Sequence, residues 1–225
     1  MCLICFLLIP STFPFKALPI FLGFRGALAL MFSAPLFQLR RAQFSQENDD
    51  FVFDLAGSAG VTGESGTLQT ANAASFPALT GEGIAMARIV LEPCGINIPH
   101  VHPRATELQI VIDAGPEGVL TSFVEENNGR TITDTVYAGM VSFFPQGLTH
   151  FELNLGCTNA TLISAFGDDD FGVQQTSTTA LAGLPTEGLA ASLGISEDDL
   201  AALIASFPTN AAKGSEECRH RCGIA

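Results

Sequence analysis

Three of the four histidines of this chain fall in one pattern, His100-x-His102-x4-Glu107 followed by Pro145-x-Gly147-x2-His150. That pattern limits the folds open to it. Alternate residues of a β-strand share a face, so His100 and His102 project together. The step from His102 to Glu107 leaves room for a tight turn carrying Pro103, after which Leu108–Ile112 reads as a returning strand. His150 must come from another strand, reached from Met140–Phe144 through a turn at Pro145, Gln146 and Gly147. Strands converging on one interior point describe a small β-barrel with a ligand in its mouth. Three unrelated histidines, each bonded locally, would be the plain alternative, and the joint spacing argues against it.

Imidazoles and one carboxylate around a point make a site for a divalent transition metal. Four protein ligands on a six-coordinate ion leave two positions open, which suits chemistry. Imidazole alone does not choose among zinc, copper, iron and nickel. The carboxylate and the open positions favour a redox-capable octahedral ion over closed structural zinc.

All 23 acidic residues lie at or beyond Glu47, whereas Lys16, Arg25, Arg40 and Arg41 precede it, leaving six basic residues for the rest. Such an acidic body repels nucleic acid and anionic membrane, and no basic stripe offsets it. Solubility is the simplest use of that charge. Residues 1–39 contain no acid and are dominated by Leu, Phe, Ile, Ala and Pro. Arg25 followed by Gly26–Phe32 has the charged and apolar parts of a secretory signal, but its leader is long and no clean cleavage site follows. An unusual signal, an anchor or a misplaced start all fit, so residues 1–42 are set apart as a targeting or non-native segment. Cys2 and Cys5 lie within it.

Beyond it the chain divides into an arm and surface loop (43–80), a barrel core (81–170) and a helical, Cys-containing tail (171–225). The pattern predicts an all-β body with a short C-terminal helical segment. An edge strand is expected at Phe51–Asp54, a wrapping loop over Gly57–Ala74, and strands at 84–91, 108–112, 119–124, 131–137, 140–144, 150–155 and 160–166. Glu125–Gly129 reads as an Asn-Gly hairpin turn. Pro185 opens a short helix ending near Gly194. Ser196 caps a second, with Asp199 at the capping-box position and Leu200, Leu203 and Ile204 on one face. If the His100 and His150 strands pair antiparallel, Cys94 falls beside residue 156 or 157. A Cys94–Cys157 bridge is then expected, with Cys218–Cys222 as the second pair. Asn159-Ala160-Thr161 is a glycosylation sequon, meaningful if the chain is exported.

The chain resembles the germin-like branch of the cupins, particularly its spherulin-type members. The motif G-x5-P-x-G-x2-H-x3-N is met by Gly139, Pro145, Gly147, His150 and Asn154. The motif G-x5-H-x-H-x4-E-x6-G is met at His100, His102 and Glu107, with Cys94 and Ala114 in place of its outer glycines. The resemblance implies a single cupin jelly-roll barrel binding manganese (Mn2+) through His100, His102, Glu107 and His150. It also implies association into a homo-oligomer through the C-terminal helices, against a helix pair packed on its own barrel. Oxalate-oxidising members place two asparagines beside the metal. Asn97 matches one, while Ala87 stands near the other, and a methyl group cannot orient a carboxylate. Superoxide therefore precedes oxalate, or another small carboxylate, as a substrate. Asn97, Asn154 and Glu152 are candidates for supporting the ligands. Two roles are carried forward: a secreted manganese oxidoreductase, and a non-catalytic wall or matrix protein. A pocket plugged by a side chain such as Phe143 or Phe151 would favour the second.

Overall fold

The computed structural model describes residues 47–224, and the expectations for residues 1–42, including Cys2 and Cys5, lie outside the described residues. Among the described residues, twelve strands form two antiparallel sheets that face each other as a jelly roll. In chain order they are β1 (Val61–Gly63), β2 (Gly66–Ala71), β3 (Ala85–Leu91), β4 (Gly95–Val101), β5 (Glu107–Asp113), β6 (Val119–Val124), β7 (Thr131–Val136), β8 (Val141–Phe144), β9 (His150–Asn154), β10 (Ala160–Phe166), β11 (Gln174–Gln175) and β12 (Ala212–Lys213). The first sheet runs β1-β2-β3-β10-β5-β8; the second runs β11-β4-β9-β6-β7, with β12 also on β4. Alternation explains the layering. On β3, β9 and β10 every second residue is buried, and Ile89, Leu91, Val111, Val119, Val136, Ala160 and Leu162 meet between the sheets. Burying each Val, Leu or Ile among them gives about 1.5–3 kcal/mol.

Two expected elements differ. Phe51–Asp54 is not a strand: a 3-10 turn spans Asn48–Phe51 and extended chain follows. The stretch expected as a loop over Gly57–Ala74 contains the β1–β2 hairpin, whose second strand pairs with β3 from Gly66↔Leu91 to Ala71↔Met86. Its many Gly and Ser residues carry little strand preference, and the ladder offered by β3 supplies what they lack. The turn between β6 and β7 closes as a hairpin, with Asn128 rather than Gly129 taking the left-handed backbone (φ 67°).

After β11 a π-helical turn covers Thr176–Leu181. Helices α1 (Thr186–Leu193) and α2 (Glu197–Ala205) follow, and α3 (Glu216–Arg221) closes the tail. Pro185 precedes α1 and Gly194 ends it in the left-handed conformation. Ser196 caps α2 by accepting from Asp199 N at 3.1 Å and donating to its carboxylate at 2.6 Å. Leu189, Ala190 and Leu200 form a small core with Leu181 and Ile204, while Leu203 stays exposed.

The disulfides correct the expected pairing. Cys94 bonds Cys218, and Cys157 bonds Cys222. The ladder expectation itself is met, because Cys94 N donates to Gly156 O at 3.2 Å. The tail decides the connectivity. Cys218 lies within α3 and Cys222 caps its end, so the pair sits one helical turn apart and parallel, unable to close on itself. Each instead reaches across to a barrel cysteine.

Candidate metal centre

A local irregularity aims the first ligand. On the β4–β9 ladder Asn97 pairs with Glu152 and His100 with His150, so three residue steps on β4 oppose two on β9. This is a β-bulge at Ile98–Pro99, where Pro99 has no N–H to give the ladder. Without it, Asn97 and His100 would face opposite sides. With it, both are buried. His102 follows just beyond the end of β4, Glu107 opens β5 in the opposite sheet, and His150 opens β9. The turn through Pro103 thus crosses between sheets rather than folding back onto β4.

The second motif's glycines serve this arrangement. Gly139 and Gly147 have φ of 85° and 79°, a region that costs other residues about 1–2 kcal/mol. Gly147 N donates to His102 O at 3.1 Å and Gln146 Nε2 to Pro103 O at 2.9 Å, joining the two motif turns. Cys94, standing where the first motif has glycine, keeps that conformation (φ 58°). Ala114 at the other outer position packs against the core.

His100, His102, Glu107 and His150 come together, their donor atoms all within 4.8 Å of one another. The imidazoles are held alike. Nδ1 of His100 donates to Ile98 O (2.9 Å), that of His102 to Gly172 O (2.7 Å) and that of His150 to Leu148 O (2.9 Å). Carbonyls only accept, so each Nδ1 carries the proton and each Nε2 is left to bind. Nε2 of both His102 and His150 lies 3.1 Å from Glu107 Oε2. Bare Nε2 lone pairs against a carboxylate oxygen repel unless a cation or proton stands between them. This donor set fits a divalent ion.

The electrostatics show the same need for positive charge beside Glu107. Burial, with His150 and His102 beside it, pushes the His100 imidazole down to about 3. Burial pushes the Glu107 carboxyl up, but its bonds to His102 and His150 outweigh that and hold it well below the usual carboxylate range. Burial lowers His150, yet Glu107 and the charge of Glu152 raise it on balance.

A polar network backs the ligands. Glu152, fully buried, accepts from Asn97 Nδ2 at 2.8 Å and from Gln109 Nε2 at 3.0 Å; Gln109 Nε2 also lies 3.2 Å from Glu107 Oε1. Burial first, then the charge of Glu107, pushes the Glu152 carboxyl up to about 7. Asn154 serves elsewhere: its amide donates to Leu91, Glu92 and Thr158 carbonyls and accepts from Gly156 N, fastening turns at the far end of β9. Neither Phe143 nor Phe151 plugs the site. Phe143 is 55% exposed, and Phe151 points to the other face of β9. Instead Phe144 stacks on His150 at 4.4 Å, while Phe166 and Phe171 meet His102 edge-on at 4.8 and 5.1 Å. Gln109 was discoverable in the sequence, two residues past Glu107 on the same strand face.

A family model described as Cupin matches residues 56–200. The chain is a cupin. Spherulin-1A of Physarum polycephalum is 38% identical over 200 residues, covering 88% of this cupin and 79% of the relative. Germin-like protein 5-1 of Oryza sativa subsp. japonica is 41% identical over 140 residues, 61% of each chain. Among solved structures, a recombinant oxalate oxidase in complex with glycolate superposes with a TM-score of 0.66 at 25% identity, covering 72% of this cupin and 83% of that chain. This cupin therefore belongs to the germin-like group and is of spherulin type.

Proposed function

We propose that this cupin is a secreted manganese protein acting as an oxidoreductase on a very small substrate, with superoxide first. One observation carries the reading: three imidazoles whose Nδ1 protons are committed to carbonyls turn their Nε2 atoms toward Glu107. Bound there, a manganese ion would supply one-electron chemistry by cycling between two oxidation states. The protein orients the four ligands and keeps water scarce around them. The ligands are only 1–4% exposed, so the centre suits a small species better than an extended one.

Oxalate fits less well. The Asn97 side chain is already engaged, donating to Glu152 and accepting from Asn210. Ala87 lies in an apolar cluster with Ala85, Ala105, Phe166 and Phe171. Secretion accords with two closed disulfides, which persist in oxidising compartments. The sequon Asn159 is exposed between β9 and β10 and would carry the glycan. A second reading, a durable wall or matrix protein of spherulin type, is favoured by the same deep burial of the ligands, because a closed metal site can serve stability alone.

Metal analysis of secreted chain beginning near Gln43, with superoxide turnover on the same sample, tests the reading. Near-stoichiometric manganese with turnover supports the oxidoreductase. Manganese without turnover selects the structural role, and no metal defeats both.

A further inference from the structure

The C-terminal tail enters the barrel beside the metal ligands, and it does so through Asn210. Its Oδ1 accepts from Ile98 N at 2.9 Å, and its Nδ2 donates to Asn97 Oδ1. Ile98 is a bulge residue of β4, so its N–H has lost a regular ladder partner. A buried N–H without an acceptor costs about 1–3 kcal/mol, and Asn210 supplies that acceptor. The carbonyl of the same residue, Ile98 O, is the acceptor that fixes Nδ1 of His100. Asn97, held on its other side, donates to Glu152. One tail side chain thus holds Asn97 and Ile98, the residues that enter the bulge turning His100 inward.

The surroundings are built for this insertion. Ala211 and Ala212 are almost fully buried, and β12 pairs Ala212 with Ile96 and Lys213 with Gly95, on the edge of β4 next to the bulge. Ser65 N donates to Ala211 O at 3.1 Å. A Cβ at Gly63 would lie 2.1 Å from Ala211 N, and one at Gly214 would lie 2.1 Å from Cys94 O. Backbones pass there at a distance only glycine permits. A few residues on, the bridge from Cys218 to Cys94 anchors the tail to the turn before β4. The chain end is therefore fixed along the stretch of chain that leads into the bulge.

We propose that Asn210 is a positioning residue of the metal centre, acting through the Ile98 peptide on His100. This inference rests on the metal-binding reading above. Its removal should loosen the His100 imidazole without touching a ligand, as losing an outer partner of a ligating histidine weakens affinity about 10–100-fold.

The test uses the full secreted chain and manganese itself. Affinity is measured by titration, and the electron paramagnetic resonance spectrum of the loaded protein reports ligand geometry. Asn210→Leu, similar in volume but without polar atoms, should weaken manganese binding about 10–100-fold and change the spectrum. Asn210→Asp keeps an oxygen for Ile98 N and should recover most of the affinity. Wild-type affinity and spectrum in Asn210→Leu would overturn the proposal, even if that variant melts lower. Equal loss in both variants would also overturn it, because the Ile98 bond would then not be the route. Should Asn210→Leu fail to fold, amide hydrogen exchange on the wild-type chain decides. Manganese should slow exchange at Ile98 and across 211–213, since coupling between sites is reciprocal, and unchanged exchange would refute the idea. A wild-type chain that binds no manganese brings down the metal reading, and this inference with it; normal wild-type binding with indifferent variants sinks this inference alone.

Discussion

At the scale of single residues, the centre is defined by which nitrogen of each histidine is occupied. His100→Ala removes one ligand of four, and the expected outcome is loss of bound metal by mass spectrometry. Melting should fall by several degrees relative to the loaded wild type, because a ligand at a hundred times its dissociation constant stabilises by about 2.7 kcal/mol. Equal metal content would remove His100 from the site. The metal-free protein should also respond to acid in a particular way. The folded His100 titrates near 3 against an ordinary 6.5, so the unfolded chain binds the extra proton and stability falls as pH drops through that range. Glu107, held below its ordinary 4.5, works in the same direction as acid deepens. Glu152, raised to about 7 from 4.5, has the opposite sign and gains stability as pH falls from 7 to 4.5. The melting temperature should stay nearly level from pH 6.5 to 4.5 and then drop; a uniform decline from neutrality would contradict this balance. Ala87→Asn is expected to raise any trace oxalate oxidation in a peroxide-release assay, and to melt lower because the apolar cluster has little room for it. An unchanged rate would count against Ala87 facing the substrate.

At the scale of elements, the strands that alternate were legible and the ones that borrow their order were not. β3 announces itself through apolar residues at every second position, β6 and β10 through runs rich in apolar and β-branched residues, and α2 through its Ser196 cap. The β1–β2 hairpin carries no such signal, since its order comes from the β3 ladder. The grouping of His100, His102, Glu107 and His150 was legible because motif spacing survives the bulge in β4. The bulge itself was not, and so the supporting role of Asn97 could be located only by family likeness and that of Asn210 not at all. The disulfides were half legible: strand pairing put Cys94 beside Gly156, but the choice of partner belongs to α3, whose Cys218 lies 124 residues beyond Cys94. The bridges close loops of 124 and 65 residues. Cys218→Ser should cost about 2–5 kcal/mol in urea unfolding. It should exceed Cys222→Ser by about 0.6 kcal/mol, the increment for a doubled loop. The reverse order would show that native contacts around Cys222, rather than chain entropy, dominate.

At the scale of the whole molecule, one outer sheet face is unusually apolar for an acidic protein. Leu108 on β5 lies opposite Phe143 on β8, Ile110 opposite Val141, and Leu108, Val141 and Phe143 are each about half exposed. Association between copies through this face, separate from that implied for the C-terminal helices, would cover it. Phe143→Asp is expected to lower the mass found by light scattering while leaving metal content unchanged; an unaltered mass would place any contact elsewhere. The tail has a further consequence, which concerns synthesis. All four ligands and the cysteines Cys94 and Cys157 are made well before Cys218 and Cys222 emerge. A chain halted in that interval has two free thiols flanking neighbouring positions of one ladder, and an oxidant can join them to each other. The bridge absent from the finished protein is thus the one open to an unfinished one, and only the arrival of Cys218 and Cys222 makes the pairing of the folded chain available.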